Sequence, residues 1–289
     1  MSSFLQILAS GLVLGCIYIL LAIGLTMVYG ILQILHIAHA AVYTIGAAVG
    51  LGVFNLTGNF WLSLPVAMVA GGITGVLIYL GVYRKILDAP RIVPLITSIG
   101  LFMVAQDLLQ KKWLLGPYMH AFPAQVGLPA LRTPYLNLTS NEVLILTLTF
   151  LLLLAVYLIM NRTKIGLGWR ASAQDRDMAA ALGVNINQVI ALNFLIGSIL
   201  AAAAGVLVGV YYNKVFATMG DVPSYKAFVI IVLGGLGNIP GTILAGFILA
   251  LAETFLVATV GFVLPRDAIA FLVLILVLMF RPKGLLGGS

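Results

Sequence analysis

Charge is what this chain has least of. Its 289 residues include only 15 Lys and Arg and 8 Asp and Glu, 8% of the total. A soluble domain carries about 25% charged residues. Here 62% of residues are hydrophobic and the mean hydropathy is +1.17. Too few polar residues are present to cover that much apolar surface with a hydrated shell, so the surrounding solvent is a bilayer. Cysteine is nearly absent. A lone Cys16 excludes an internal disulfide, a cysteine metal cluster and an iron–sulfur site. There are three histidines, and His36 and His39 share one short stretch, which does not supply the facing pair that an axially ligated haem needs. No H-E-x-x-H occurs, against a membrane zinc protease, and no G-x-x-x-x-G-K-[ST] phosphate loop occurs. If ATP drives this protein, hydrolysis belongs to another polypeptide. The N-terminus lacks a basic n-region and an A-x-A-like cleavage site, so its first apolar run reads as a retained span. The net charge of +7 sits in loops between apolar runs, where it sets orientation and does not point to nucleic acid.

What is present is a series of long apolar runs. A crossing needs about 20 such residues. Runs cover 4–28, 37–56, 61–83, 93–113, 143–160 and 189–211. The stretch 227–260 is too long for one span, and Gly234, Gly235, Gly237, Pro240 and Gly241 interrupt it. It reads as a short segment over 225–236, a Gly/Pro break and a longer helix over 240–260, with a final span over 267–280. The expected fold is an all-α polytopic bundle of about eight or nine spans with broken helices, forming one domain over 1–289. Irregular backbone at membrane depth is tolerated where it is buried in protein or lines a cavity, and broken helices recur at transport sites. Two breaks qualify, "GILQILHIAHAA" at 30–41 and "LGGLGNIPG" at 233–241; the second is equally readable as a tight reversal. Glycines four apart at 11/15, 46/50, 71/75, 205/209 and 237/241 allow close helix approach.

Basic residues cluster after the third span (Arg84, Lys85, Arg91), after the fifth (Arg162, Lys164, Arg170, Arg176) and at the chain end (Arg281, Lys283). Cytoplasmic loops carry the Lys/Arg excess, which puts these three regions inside and the N-terminus and Pro-rich loop 114–140 outside. That orientation needs an odd number of crossings, nine if 225–236 crosses. A re-entrant 225–236 gives eight. Loop 162–187 is then cytoplasmic. Within it Met178, Ala181 and Leu182 share one face of a helix of about three turns, and Gly183 sits at the stop position. That small apolar face is poor for lipid insertion, which favours bulky anchors, and suits docking into a protein groove.

"RASAQDRDMAAALGVNINQVIALNFLIGSILAAAAGVLVG" resembles the cytoplasmic loop and following helix of the LivH-type permeases of branched-chain amino-acid ABC importers. "SGLVLGCIYILLAIGLTMVYGILQILHIAHAAVYTIGA", "AFVIIVLGGLGNIPGTILAG" and "DAIAFLVLILVLMFRPKGLLG" resemble other parts of the same family, in the same order. The resemblance implies an ABC importer permease architecture in the bacterial cytoplasmic (inner) membrane. It implies that 170–183 is the coupling helix that docks an ATPase, with Arg170, Ala171, Gln174, Asp175, Met178, Ala179, Leu182 and Gly183 at the contact. The implied partners are two ABC ATPase subunits, which would hold ATP-Mg, a second LivM-like permease chain or a second copy of this one, a solute-binding protein and membrane lipid. This chain itself is expected to bind no cofactor or metal. The implied solute is a branched-chain or related amino acid; urea, short amides and small carboxylates are the alternatives.

Candidate path residues follow the first span. At helical spacing His36, His39 and Tyr43 share a face, with Thr44 beside them, and polar groups in a membrane usually face a cavity or the bundle interior. The family usually reads Asn-x-x-His-Gly here, where this chain reads "HIAHA"; His39 matches, while His36 and Ala40 depart. Thr97, Ser98, Gln106 and Asp107 give the fourth span a polar side, with Thr97 and Ser98 as further path candidates. Asp107 has Lys111 at i+4 as its expected partner. Glu253, within a span, must be paired, protonated or near a surface. An ion-coupled secondary transporter would want more intramembrane charge than Glu253 and Asp107 offer. Loops 114–140 and 212–226, the latter including Lys214, Asp221 and Lys226, are candidate platforms for a delivering protein.

Overall fold

The computed structural model describes residues 2–87, 89–90, 92–124, 126–261, 266–281 and 284–286. Arg91 and Lys283, two of the residues used to orient the chain, lie outside these. The elements are α1 (Ser2–Leu32), α2 (His39–Thr57), α3 (Phe60–Ile78), a π-helical turn (Tyr79–Tyr83) leading into α4 (Arg84–Ile86), and α5 (Ile92–Leu109). They continue with α6 (Ser140–Arg162), α7 (Lys164–Gln174), α8 (Arg176–Ala181), α9 (Ile186–Tyr212), α10 (Asp221–Gly234), α11 (Ile239–Val260) and α12 (Arg266–Phe280). Two short antiparallel strands, β1 (Leu131–Arg132) and β2 (Asn137–Leu138), pair in the long loop with Leu131 opposite Leu138.

Several helix starts follow a polar residue before an apolar run, whereas α2 and α10 start after Ala38 and Gly220 with no side-chain cap. Thr139 and Glu142 form a reciprocal capping box on α6, Asn185 accepts from the Gln188 N–H on α9, and Asn238 accepts from the Gly241 N–H on α11. These starts lie at the ends of the bundle, where each cap satisfies an N–H that has no partner within its helix.

Seven helices among the described residues are long and apolar enough to cross a membrane, fewer than the eight or nine spans expected. The shortfall lies in α10 and α12. At 14 residues α10 is about 21 Å long, short of a hydrocarbon core of about 30 Å. The chain nevertheless ends opposite its start. Gln6 on α1 exchanges two hydrogen bonds with Asn137 of the long loop at one end. At the other, the Leu285 and Leu286 N–H groups donate to the Leu233 and Gly234 carbonyls, and Gly237 packs on Gly30 near the end of α1. Segment 213–220 together with α10 therefore makes one passage of the bundle. Gly234, Gly235, Gly237 and Gly241 form the tight reversal between α10 and α11 at that end.

The core is built on α1 and α9, buried along most of their length, while α5 and α6 expose Ile96, Met103, Phe150 and Leu151 outward. The glycine spacings locate several close crossings. A side chain on Gly11 or Gly15 would strike Leu251 or Phe247 of α11, and one on Gly71 or Gly75 would strike Ala202 or Ser198 of α9. Gly46 faces Ala202, and Gly205 faces the Tyr43 carbonyl. Gly205→Val is therefore expected to wedge α2 from α9 and cost about 1–3 kcal/mol, the usual range for overpacking. Gly52→Val, on α2 but in open space, is expected to leave the melting temperature of the detergent-solubilised protein unchanged.

Candidate functional site

The first break is a re-entry of the backbone into the bundle. Gln33 ends α1 with a left-handed φ of +53°. The chain then climbs back beside α1, so that His39, the first residue of α2, abuts Gly24. Gly24 lies eight residues before the end of α1, about 12 Å along its axis. Segment 33–38 is thus irregular backbone inside the protein, with Ile34, His36 and Ala38 buried. Specific polar contacts hold it. The Ala38 N–H donates to Ser98 Oγ at 2.9 Å, and His36 Nδ1 bonds the Tyr83 hydroxyl at 2.8 Å. The π turn presents Tyr79 and Tyr83 together to the interior, and both rings pack on Phe194 of α9.

This geometry corrects the expectation that His36, His39 and Tyr43 share a helix face. His36 precedes α2, and only His39 and Tyr43 lie on it. The two imidazoles still meet, with ring centroids 5.8 Å apart. His39 lies beside the Leu21 carbonyl, yet neither of its ring nitrogens makes a hydrogen bond of ordinary geometry. The Tyr43 hydroxyl is likewise buried without a partner. Thr44 donates to the Ala40 carbonyl of its own helix. Thr97 is half-exposed and donates to the Val93 carbonyl, away from His36 and His39. Ser98, its neighbour, is the residue that faces inward.

Two cavities flank these groups. The smaller, about 220 Å³, is lined by His36, His39, Leu25, Tyr225 and Phe228. The larger, about 580 Å³, is lined by Tyr18, Tyr43, Lys226, Leu14 and Ile17, with Lys214 and Asp221. They share Leu21 and Ala227, so they stack along α1 between α2 and α10. Where α2 and α10 begin, Gly220 packs directly on the Ala40 carbonyl, a contact closed to any larger residue.

Lys226 was expected in an external loop. It is instead buried in α10, its ammonium 2.9 Å from both Glu253 carboxylate oxygens and 2.8 Å from the Tyr18 hydroxyl. Tyr18 in turn donates to Glu253 at 2.9 Å. The loop ends earlier than its composition suggests, at Gly220, and α10 carries Lys226 inward. This explains Glu253, which is paired. Asp107 pairs with Lys111 at 2.9 Å on the exposed end of α5.

In 162–187 the expected three-turn helix is two helices. Asp175 leaves helical geometry and caps α8, accepting from the Asp177 and Met178 N–H groups. Gly183, with φ +88°, ends the turn after α8. Met178, Ala181 and Leu182 are exposed together, whereas Ala179 is buried and so does not face outward with them. Arg170 and Gln174 are exposed, Ala171 is half-buried and Gly183 is exposed. The loop is anchored by Trp169, whose Nε1–H donates to the Met27 carbonyl of α1, a carbonyl that also accepts from Asn193 of α9.

Residues 7–280 match the family described as the permease component of branched-chain amino acid transport systems. The chain is 36% identical to the high-affinity branched-chain amino acid transport system permease protein BraD of Pseudomonas aeruginosa, over 98% of this chain and 96% of that protein. It is 33% identical to the corresponding permease protein LivH of Escherichia coli K12, over the same shares of each. A probable branched-chain amino acid transport permease protein of Methanocaldococcus jannaschii is 28% identical over 98% of this chain and 92% of that protein. No solved structure matches the chain. Full-length identity above 30%, a family match over nearly the whole chain and the all-helical bundle agree: the chain belongs to the branched-chain amino acid transport system permease family.

Proposed function

We propose that this chain is the membrane subunit of an ATP-driven importer that passes a branched-chain or related amino acid, delivered by a solute-binding protein, across the bacterial cytoplasmic membrane. The observation that carries the reading is the pair of stacked cavities sharing Leu21 and Ala227, with two elements, segment 33–38 and α10, that start or break inside the bundle. A small solute held there can be exposed to one side or the other by small shifts of short elements, which a continuous helix resists. The permease then needs different contacts in two states and no tight site of its own.

The exposed Met178, Ala181 and Leu182 face is the proposed ATPase contact, one for each of two ATPases if two permease chains pair. The second chain is a related permease or a second copy. Arg84, Lys85, Arg162, Lys164, Arg170, Arg176 and Arg281 gather at the Trp169 end, which supports that end as cytoplasmic. The opposite end, with loop 114–140 and the His120–Val215 bridge, then meets the binding protein. An ion-coupled carrier is less well supported, because Glu253 is engaged by Lys226 and Tyr18 rather than free to relay protons.

Met178→Glu with Leu182→Glu would place carboxylates in an apolar contact. Purification of the tagged chain from its host is expected to recover at least about tenfold less ATPase, a loss of roughly 1.4 kcal/mol, with an unchanged melting profile. Recovery at the wild-type level would remove α8 from the contact. Ser98→Ala leaves the Ala38 N–H without its partner and is expected to cost about 1–3 kcal/mol and to slow uptake. Thr97→Ala, one residue away but bonded to its own helix, is expected to change neither melting nor uptake.

A further inference from the structure

Tyr18 and Lys226 line the larger cavity, with Glu253 bonded to both, and the chemistry of this cluster matches a particular class of solute. We infer that Lys226 is the carboxylate-binding residue of this cavity, with Asp221 facing the ammonium of the same zwitterionic solute. This rests on the reading of the chain as an amino-acid permease and names the subsite.

The argument begins with cost. A buried ion pair is about neutral in stability against apolar residues of similar size. Helices α1, α10 and α11 already meet through glycine and aliphatic contacts, so cohesion alone does not require a lysine and a glutamate between them. Lys226 does something that an apolar residue cannot. It keeps a cation at the edge of a cavity of about 580 Å³, within the range of roughly 300–1,000 Å³ usual for small-molecule sites. Its side chain is 3% exposed, whereas the cavity's other lysine, Lys214, is exposed. A carboxylate entering the bundle would lose its hydration, and a buried ammonium offsets that loss.

Glu253 makes the arrangement reversible. With the cavity empty it neutralises Lys226. When a solute carboxylate arrives, the Lys226 ammonium, with three N–H donors, can bond it while remaining beside Glu253. Glu253 keeps its hydrogen bond from Tyr18. The solute brings its own ammonium, so a bound zwitterion adds no net charge to the buried pair of Lys226 and Glu253.

Asp221 is the first residue of α10, five residues before Lys226 and about 7.5 Å away along the helix axis. It lines the same cavity, is exposed, and its carboxylate accepts from the Gln106 amide. The cavity therefore presents a cation deep in its wall and an anion nearer water. The rest of the lining is mainly apolar, with Leu14, Ile17, Leu21, Val208, Phe216 and Met219. This is the complement of an α-amino acid with a branched apolar side chain. Urea and short amides carry no carboxylate for Lys226 and no ammonium for Asp221, so the same geometry disfavours them.

The test uses the whole importer, with its ATPases and binding protein, in proteoliposomes. ATP-driven uptake of radiolabelled leucine and ATP hydrolysis stimulated by loaded binding protein are measured on the same vesicles. Lys226→Met is expected to cut uptake by about 10- to 100-fold, the factor for losing a charged hydrogen bond, while stimulated hydrolysis persists. Because that variant leaves Glu253 buried and unpaired, Lys226→Met/Glu253→Met is made beside it. The double variant is expected to assemble and hydrolyse ATP yet still fail to transport. Wild-type uptake by the double variant would make the pair purely structural and overturn the inference. Asp221→Asn, at an exposed position, is expected to raise the apparent KM for leucine about tenfold, the scale of one charged contact. An unchanged KM overturns the zwitterion site even if both Lys226 variants fail to assemble. If the wild-type vesicles hydrolyse ATP on demand but carry no amino acid, or show no ATP dependence, the proposed function itself fails, whatever Lys226 does.

Discussion

The structure depends on one constraint: inside a bilayer, every backbone N–H and C=O must find a partner within the protein. A continuous helix meets it without help. Segment 33–38 does not, and its presence beside α1 is possible because Ser98 accepts from the Ala38 N–H, Tyr83 holds His36, and Phe194 packs against both aromatic rings. Once the backbone is broken there, α2 starts about 12 Å inside the bundle instead of at its surface. Segment 213–220 brings α10 to meet it, and Gly220 closes on the Ala40 carbonyl. The two cavities are the space that these starts leave along α1.

Around that break, small residues supply rigidity. Ala201–Ala204 and Gly205 of α9 let α2 and α3 approach nearly backbone to backbone, and Gly11 and Gly15 seat the Leu251 and Phe247 side chains of α11 against α1. Since lipid offers no hydrophobic force to press helices together, close packing has to do it. The anchoring of loop 162–187 follows a similar economy. Trp169 of α7 and Asn193 of α9 both bond the Met27 carbonyl, two residues from Leu25 of the smaller cavity. The exposed face of α8 is thereby linked to a cavity wall through α7 and a single turn of α1.

Much of this was legible in the sequence where a pattern maps onto one physical cause. Apolar run length located the seven long helices, glycine spacing located several close crossings but not that of Gly24 with Gly197, and Gly183 marked the end of α8. The polar stretch around His36 marked the break. Legibility failed where a residue's role depends on a distant partner. Lys226 looked like a loop cation because nothing nearby reveals Glu253, 27 residues on. Asp175 looked like part of a helix, although an aspartate beside alanines serves equally well as a cap. Thr97 and Ser98 are indistinguishable by type, and only the rotation of α5 against segment 33–38 separates them. The π turn that presents Tyr79 and Tyr83 has no composition signal of its own.

The central claim is that the two cavities are one path, opened alternately to the two sides. Ala227 lines both cavities and is buried. The most direct measurement replaces Cys16 by alanine, places a single cysteine at Ala227, and follows its reaction with a membrane-impermeant thiol reagent in proteoliposomes. The reagent is applied from one side at a time, with and without ATP and loaded binding protein. The account predicts labelling from one side in the resting importer and from the other once nucleotide and binding protein are added. A cysteine that reacts from neither side in either condition, or from the same side in both, would contradict it.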